Sequence, residues 1–129
     1  MIELRYEDVM NYVQHLVGEG DELQTWVHAK SEALSDHGVV PIDSTRGRFL
    51  ELIARLRSPR RVLEIGSGAG YSALWIMKGI GKAGLLEAIE IDPTVAEQLK
   101  LNHENQVEEE GLDTSWAGVI DSQKIERPL

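Results

Sequence analysis

Apolar positions recur at helical spacing through the first part of the chain. Val9, Val13, Leu16 and Val17 fall three or four residues apart within residues 6–17, and Gly18-Glu19-Gly20 ends the run. Asp21 stands where a helix cap belongs. Leu23, Trp26, Val27, Lys30 and Leu34 follow on one face, and the pattern fades near His37-Gly38. Val39-Val40-Pro41-Ile42 reads as extended, because Pro41 biases Val40 away from helix. Asp43 or Ser44 caps a third helix, with Phe49, Leu52, Ile53 and Leu56 expected to face inward and Ser58-Pro59 at its end.

The period changes after Pro59. Leu63 and Ile65 alternate with Glu64, and Val62 adds β-branched character, so residues 61–65 read as a buried strand. Gly66, Gly68 and Gly70 form a turn, and Ala73, Leu74, Ile76, Met77 and Ile80 continue at helical spacing. Residues 79–84 read as a loop and 85–91 as a second strand. Asp92-Pro93 fits a cap followed by proline at the first helical position. That helix runs to about Glu110 and stops at Gly111, and residues 116–120 read as a third strand. Asp121-Ser122-Gln123 could open a last short helix, limited by Pro128. Three helices followed by β-α-β-α-β predict an α/β fold with parallel strands and right-handed helical crossovers. This is one half of a doubly wound sheet with strand order 3-2-1, in a single domain. Residues 1–58 supply the helices and 59–129 the alternating half. The crevice of such folds lies beside the first strand, and a fourth strand would form its other wall. The sequence reaches Leu129 before one occurs, so a truncated domain is expected.

Composition narrows the field. The chain has 129 residues, enough for one core. It has no cysteine, which excludes disulfides, thiolate metal sites and a cysteine nucleophile, and is compatible with the cytoplasm. No apolar run approaches the roughly 20 residues of a membrane span, and the N-terminus lacks a signal pattern. A net charge of −9 opposes general nucleic-acid binding. Arg46, Arg48, Arg55, Arg57, Arg60 and Arg61 nevertheless cluster, either as a solvated helix face or as a patch for RNA or an acidic partner.

The glycine turn carries the candidate chemistry. A turn that opens a helix presents N–H groups and the positive end of a dipole, which suits an anion. The G-x-G-x-G spacing differs from the G-x-G-x-x-G of dinucleotide sites and is weak alone. Glu64 lies inside a strand, where a carboxylate needs partners: loop N–H groups or a ligand ammonium. Ser72 either caps the helix or binds a ligand carboxylate. Glu90 ends the second strand, where an acidic residue accepts bonds from ribose hydroxyls or is simply solvated. The histidines, His15, His28, His37 and His103, are scattered, and no metal site is expected from them.

Residues 62–72, Val-Leu-Glu-Ile-Gly-Ser-Gly-Ala-Gly-Tyr-Ser, with Ala-Ile-Glu-Ile-Asp-Pro at 88–93, resemble the S-adenosylmethionine-binding core of class I methyltransferases. The Gly-Tyr-Ser run is similar to that of the catechol and caffeoyl-CoA O-methyltransferases. Pro41-Ile42-Asp43 and Asp121-Ser122-Gln123 add to the likeness. The resemblance implies a Rossmann-like three-layer sandwich and methyl transfer to a hydroxyl of a small catechol-like or phenolic acceptor. It also implies roles. Gly66 and Gly68 would let the methionine portion of the cofactor lie against the backbone, with Gly70 and Tyr71 completing the loop. Ser72 would hold its carboxylate and Glu64 lie near its amino group. Glu90 would bind the ribose, Ile42 and Ile91 would pack on the cofactor, and Ser122 and Gln123 would edge the adenine.

The family's divalent-metal (Mg²⁺) ligands and catalytic lysine have no counterpart here, because no Asp-x-Asp-Lys segment occurs. The catalytic residues therefore stay unassigned. Two other readings remain: a non-catalytic S-adenosylmethionine-binding or interaction module, and an RNA or protein methyltransferase. A half sheet would expose one edge of its first strand, so a homo-oligomer or an exchange of segments is expected to cover it.

Overall fold

The structure is a computed structural model that describes residues 5–110 and 120–121, with side chains through residue 104. Helices α1 (Tyr6–Val17), α2 (Glu22–Glu32) and α3 (Ser44–Arg57) precede β1 (Arg61–Ile65), α4 (Tyr71–Ile80), β2 (Leu85–Glu90), α5 (Pro93–Glu110) and β3 (Ile120–Asp121). The sheet is parallel, with β2 between β1 and β3. Arg61 stands opposite Leu85 and Ile65 opposite Ile89. Of the third strand expected at 116–120, residues 116–119 lie outside the described residues, as do the helix expected after Asp121 and the positions Ser122 and Gln123.

Local chemistry sets the boundaries. Asp21 caps α2 by accepting from the Gln24 N–H at 2.9 Å, and Gln24 returns a bond to the Asp21 N–H. Asp43 caps α3 through the Arg46 N–H at 2.8 Å. α2 stops at Glu32, earlier than its apolar pattern implies. The chain tightens into a 3₁₀ turn at Ser35–His37, and Gly38, at φ +77°, takes the left-handed conformation that ends it.

The core lies where α4 meets α2 and α3. Trp75, Val27, Tyr71 and Leu74 form it, with Leu23 and Ile42 packed against them. A second layer, Leu86, Ala88, Val95, Ala96 and Leu99, is buried along β2 and α5. On α4 the apolar spacing only partly marks the core, since Ile76, Met77 and Ile80 are half-buried while Trp75 is fully covered.

Two expectations about burial fail. On α3 the inward residues are Ser44, Gly47, Glu51 and Ala54, whereas Phe49, Leu52, Ile53 and Leu56 are exposed. The small stripe wins because α4 approaches closely: a Cβ on Gly47 would overlap the Trp75 indole, and one on Gly79 would overlap Ala54. β1 is not a buried strand either. Leu63 and Ile65 are 56% and 77% exposed, because β2 is its sole strand partner among the described residues.

Candidate functional site

The turn after β1 is fastened to β2 before any ligand is considered. The N–H groups of Gly66 and Ser67 both donate to the Ile89 carbonyl, at 2.8 and 3.2 Å. The Gly68 N–H donates to Glu90 Oε2 at 2.8 Å. Three successive donors are thus spent on the protein, so Gly66, Ser67 and Gly68 offer a ligand no free N–H group. The glycines serve geometry. Gly66, Gly68 and Gly70 have φ of +79°, +56° and +97°. Beyond Gly66 nothing lies within 4 Å of where a Cβ would stand, so a ligand can approach the backbone there.

Glu90, buried at the end of β2, organises this turn. Its Oε2 holds Gly68, while Oε1 accepts from the Ile91 and Asp92 N–H groups at 2.7 and 3.0 Å. A carboxylate has about four acceptor positions, so one remains for a ligand hydroxyl. The solvated strand-end alternative for Glu90 is excluded by its burial.

Among the described residues no loop N–H group donates to Glu64. It accepts from the Ser67 hydroxyl at 2.9 Å and the Ser72 hydroxyl at 2.5 Å. Burial pushes its carboxyl above the ordinary value, and the two hydroxyl bonds oppose this in part. Ser72 accordingly is not the cap of α4, a place Gly70 fills without a side-chain bond. A half-buried carboxylate with two neutral donors and, among the described residues, no cation is suited to a ligand ammonium.

The turn, Ser72 and Glu90 border a crevice of about 420 Å³. Gly66, Gly68, Ser72 and Glu90 line one side and Ile42 another, and the largely exposed Ile91 sits at the rim. Tyr71 also lines it, but its ring is buried edge-on to His28 and Trp75, with centroids 4.7 and 6.2 Å apart. Burial pushes the Tyr71 phenol up, and the Asp43, Glu19 and Asp21 carboxylates add to this. Glu64 and Gly70 stand behind the wall. Gly70 is required by the core, since a Cβ there would overlap Leu99.

Sequence reasoning missed three supports. Ser67 as a Glu64 partner is visible only as a hydroxyl three residues on. Asn102 donates to the Ala69 carbonyl at 2.8 Å, holding the loop from α5; its sole signal is a polar residue at a helix-face position next to Leu99. Val39 packs against Gly68, which no spacing rule reveals.

The arginine cluster is mostly neutralised. Arg46 pairs with Asp43, Arg48 and Arg55 with the buried Glu51, and Arg61 with Glu87. Arg48 also lies over the Trp75 ring, at 4.8 Å. Arg57 and Arg60 alone of the six lack an acidic partner among the described residues. Among those residues no helix is long and apolar enough to cross a membrane, and no three His, Asp or Glu side chains converge as metal ligands.

The chain and its fold have known relatives. A catechol O-methyltransferase of Niastella koreensis is 32% identical over 90 residues, covering 68% of this chain and 39% of the relative. This chain thus spans about two-fifths of that relative's length. The solved O-methyltransferase TomG of Streptomyces achromogenes, in complex with SAM, is 28% identical with a TM-score of 0.67, covering 84% of this chain and 46% of that one. The O-methyltransferase of Bacillus cereus in complex with SAH is 27% identical with a TM-score of 0.65, covering 74% and 43%. A sequence model of the family described as O-methyltransferase matches residues 21–111, the span from the cap of α2 to the end of α5. On that match, which covers more than half of the chain, the chain belongs to the O-methyltransferase family.

Proposed function

We propose that this chain is the S-adenosylmethionine-binding part of an O-methyltransferase, corresponding to the first βαβαβ half of a doubly wound sheet. The observation that carries the reading is the Gly66–Gly68 backbone, spent on β2 and Glu90, with open space beside Gly66 on the crevice. A phosphate would want the N–H groups that β2 already takes. A zwitterionic, ribose-bearing ligand wants what remains: a carboxylate for an ammonium, a carboxylate position for a ribose hydroxyl and an apolar rim. Bound there, S-adenosylmethionine supplies an electrophilic methyl group. Glu64 holds the amino group and Ser72 turns its hydroxyl towards the carboxylate. Glu90 accepts from the ribose, and Ile42 and Ile91 exclude water from the adenosine. The adenine-edge roles of Ser122 and Gln123 belong to the same reading.

The acceptor is proposed to be a small catechol-like or phenolic hydroxyl, by analogy with the catechol O-methyltransferase relative. No step is assigned to a divalent metal, since the described residues offer it no ligand cluster. The exposed β1 edge and the apolar stripe of α3 favour a homo-oligomer or exchanged segments. A non-catalytic S-adenosylmethionine-binding module is the second reading.

Calorimetric titration with S-adenosylmethionine tests the binding site. Saturable one-site binding, weakened at least tenfold by Glu90→Ala, is the expected outcome. Unchanged affinity in that variant removes the ribose assignment, and no heat with the wild type removes the cofactor reading. A methyl-transfer assay on catechol, with and without Mg²⁺, then separates enzyme from binding module.

A further inference from the structure

The crevice has a second wall that the glycine motif does not predict. Residues 38–42 run along it as a strap between the 3₁₀ turn and α3, and all five line the crevice. The strap has little to hold it by itself. Val39 donates weakly to the Leu34 carbonyl at 3.4 Å, and residues 40–42 make no hydrogen bond among the described residues. Val40 is 87% exposed. One end is fixed by Asp43, the cap of α3. The other end is fixed across the mouth, where His37 Nδ1 lies 3.1 Å from Asp92 Oδ2, 55 residues along the chain.

Asp92 is a rigid anchor. Its Oδ1 caps α5 by accepting from the Thr94 and Val95 N–H groups, at 2.8 and 3.1 Å, which leaves Oδ2 for His37. The His37 bond, with those two N–H groups, holds the Asp92 carboxyl below the ordinary carboxylate range, so it is a charged acceptor. The anchor lies two residues beyond Glu90, beside the proposed ribose position. Both partners line the crevice, and both side chains are about a third exposed, so the contact can break without disturbing the core.

We propose that His37 and Asp92 form a clasp that holds the strap 38–42 across the crevice and sets how long a ligand stays bound. His37 is a positioning residue: it acts through the strap, with Val39 seated on Gly68 and Ile42 packed on the core. The identity of the ligand rests on the S-adenosylmethionine reading above, whereas the clasp itself does not. A partly exposed pair of this kind sets a modest scale, about three- to fivefold in dissociation rate.

The test uses the full 129-residue chain. Amide hydrogen exchange at Gly38 and Val39, the strap amides that donate hydrogen bonds, is measured without ligand, and S-adenosylmethionine dissociation by stopped flow, in wild type, His37→Ala, His37→Gln, Asp92→Asn and the double variant His37→Ala/Asp92→Asn. Circular dichroism verifies folding; His37 is exposed, so loss of fold in His37→Ala would itself overturn a merely local clasp. The proposal expects faster exchange in the strap and a three- to fivefold faster dissociation in His37→Ala. It expects recovery in His37→Gln, whose amide can still donate to Asp92, and a double variant no faster than His37→Ala. Faster exchange with unchanged dissociation overturns the control of residence time. Unchanged exchange, or additive effects of the two substitutions, overturns the clasp. If the wild type binds no S-adenosylmethionine, the cofactor reading fails, and the ligand-free exchange of His37→Ala still decides the clasp.

Discussion

Helices α3 and α4 pack against each other and meet opposite fates. α4 buries Tyr71, Leu74 and Trp75, while α3 turns Phe49, Leu52, Ile53 and Leu56 to solvent and gives its inner side to Ser44, Gly47, Glu51 and Ala54. The difference lies in what each helix touches. α4 has helices α2 and α3 and strand β2 around it, whereas α3 meets α4 chiefly through a stripe of small residues. The small stripe is a fitting for a bulky neighbour, since Gly47 admits the Trp75 indole and Ala54 faces Gly79. The large apolar stripe of α3, with Leu63 and Ile65 of β1, is a surface suited to a further layer. One helix is therefore read by its neighbour, and hydrophobic periodicity alone cannot say which of two stripes will be covered first.

Substitutions that exchange the two roles should differ most. Trp75→Ala removes the largest fully buried side chain and is expected to cost about 3–5 kcal/mol in denaturant unfolding. Gly47→Ala forces a methyl group into the same indole and should cost about 1–3 kcal/mol, with Trp75→Ala/Gly47→Ala losing less than the sum. On the other face, Phe49→Ser and Leu56→Ser should change the unfolding free energy by no more than about 0.5 kcal/mol. They should still lower self-association, seen as a smaller mass by light scattering at high concentration. A monodisperse wild-type monomer would contradict the proposed covering of that face.

The smallest effect concerns Glu64 and is read through pH. Burial raises its folded-state carboxyl above the ordinary value of 4.5, so the folded protein holds that proton more tightly than the unfolded chain. Its contribution to stability is therefore favourable at acid pH and is lost as pH rises from the ordinary value through the raised one. Glu64→Gln removes that loss. Its thermal midpoint should match wild type well below pH 4.5 and exceed it at neutral pH, while S-adenosylmethionine affinity falls. Equal midpoints across the range would show that the Ser67 and Ser72 hydroxyls fully offset burial.

Much of the backbone was legible because local chemistry decides it. Asp21, Asp43 and Asp92 cap the helices at the positions their sequence implies. The strand–glycine–helix order likewise placed Gly66, Gly68, Ser72 and Glu90 on one crevice. Relations between distant segments stayed illegible. Nothing in the spacing of Glu90 shows that its oxygens hold Gly68, Ile91 and Asp92. Nothing near His37 points to Asp92. The burial of α3 was misread because its apolar stripe obeys helical period as well as its small stripe does, and only the position of Trp75 distinguishes them.

The central claim is that the glycine loop, fastened to β2, presents an S-adenosylmethionine site between Glu64 and Glu90. A crystal structure of this chain grown with S-adenosylhomocysteine tests it most directly. The account predicts the amino-acid portion along Gly66 and Gly68, its nitrogen within hydrogen-bond reach of Glu64, and a ribose hydroxyl donating to Glu90. The ligand bound elsewhere, or in the crevice with its ribose away from Glu90, would contradict it.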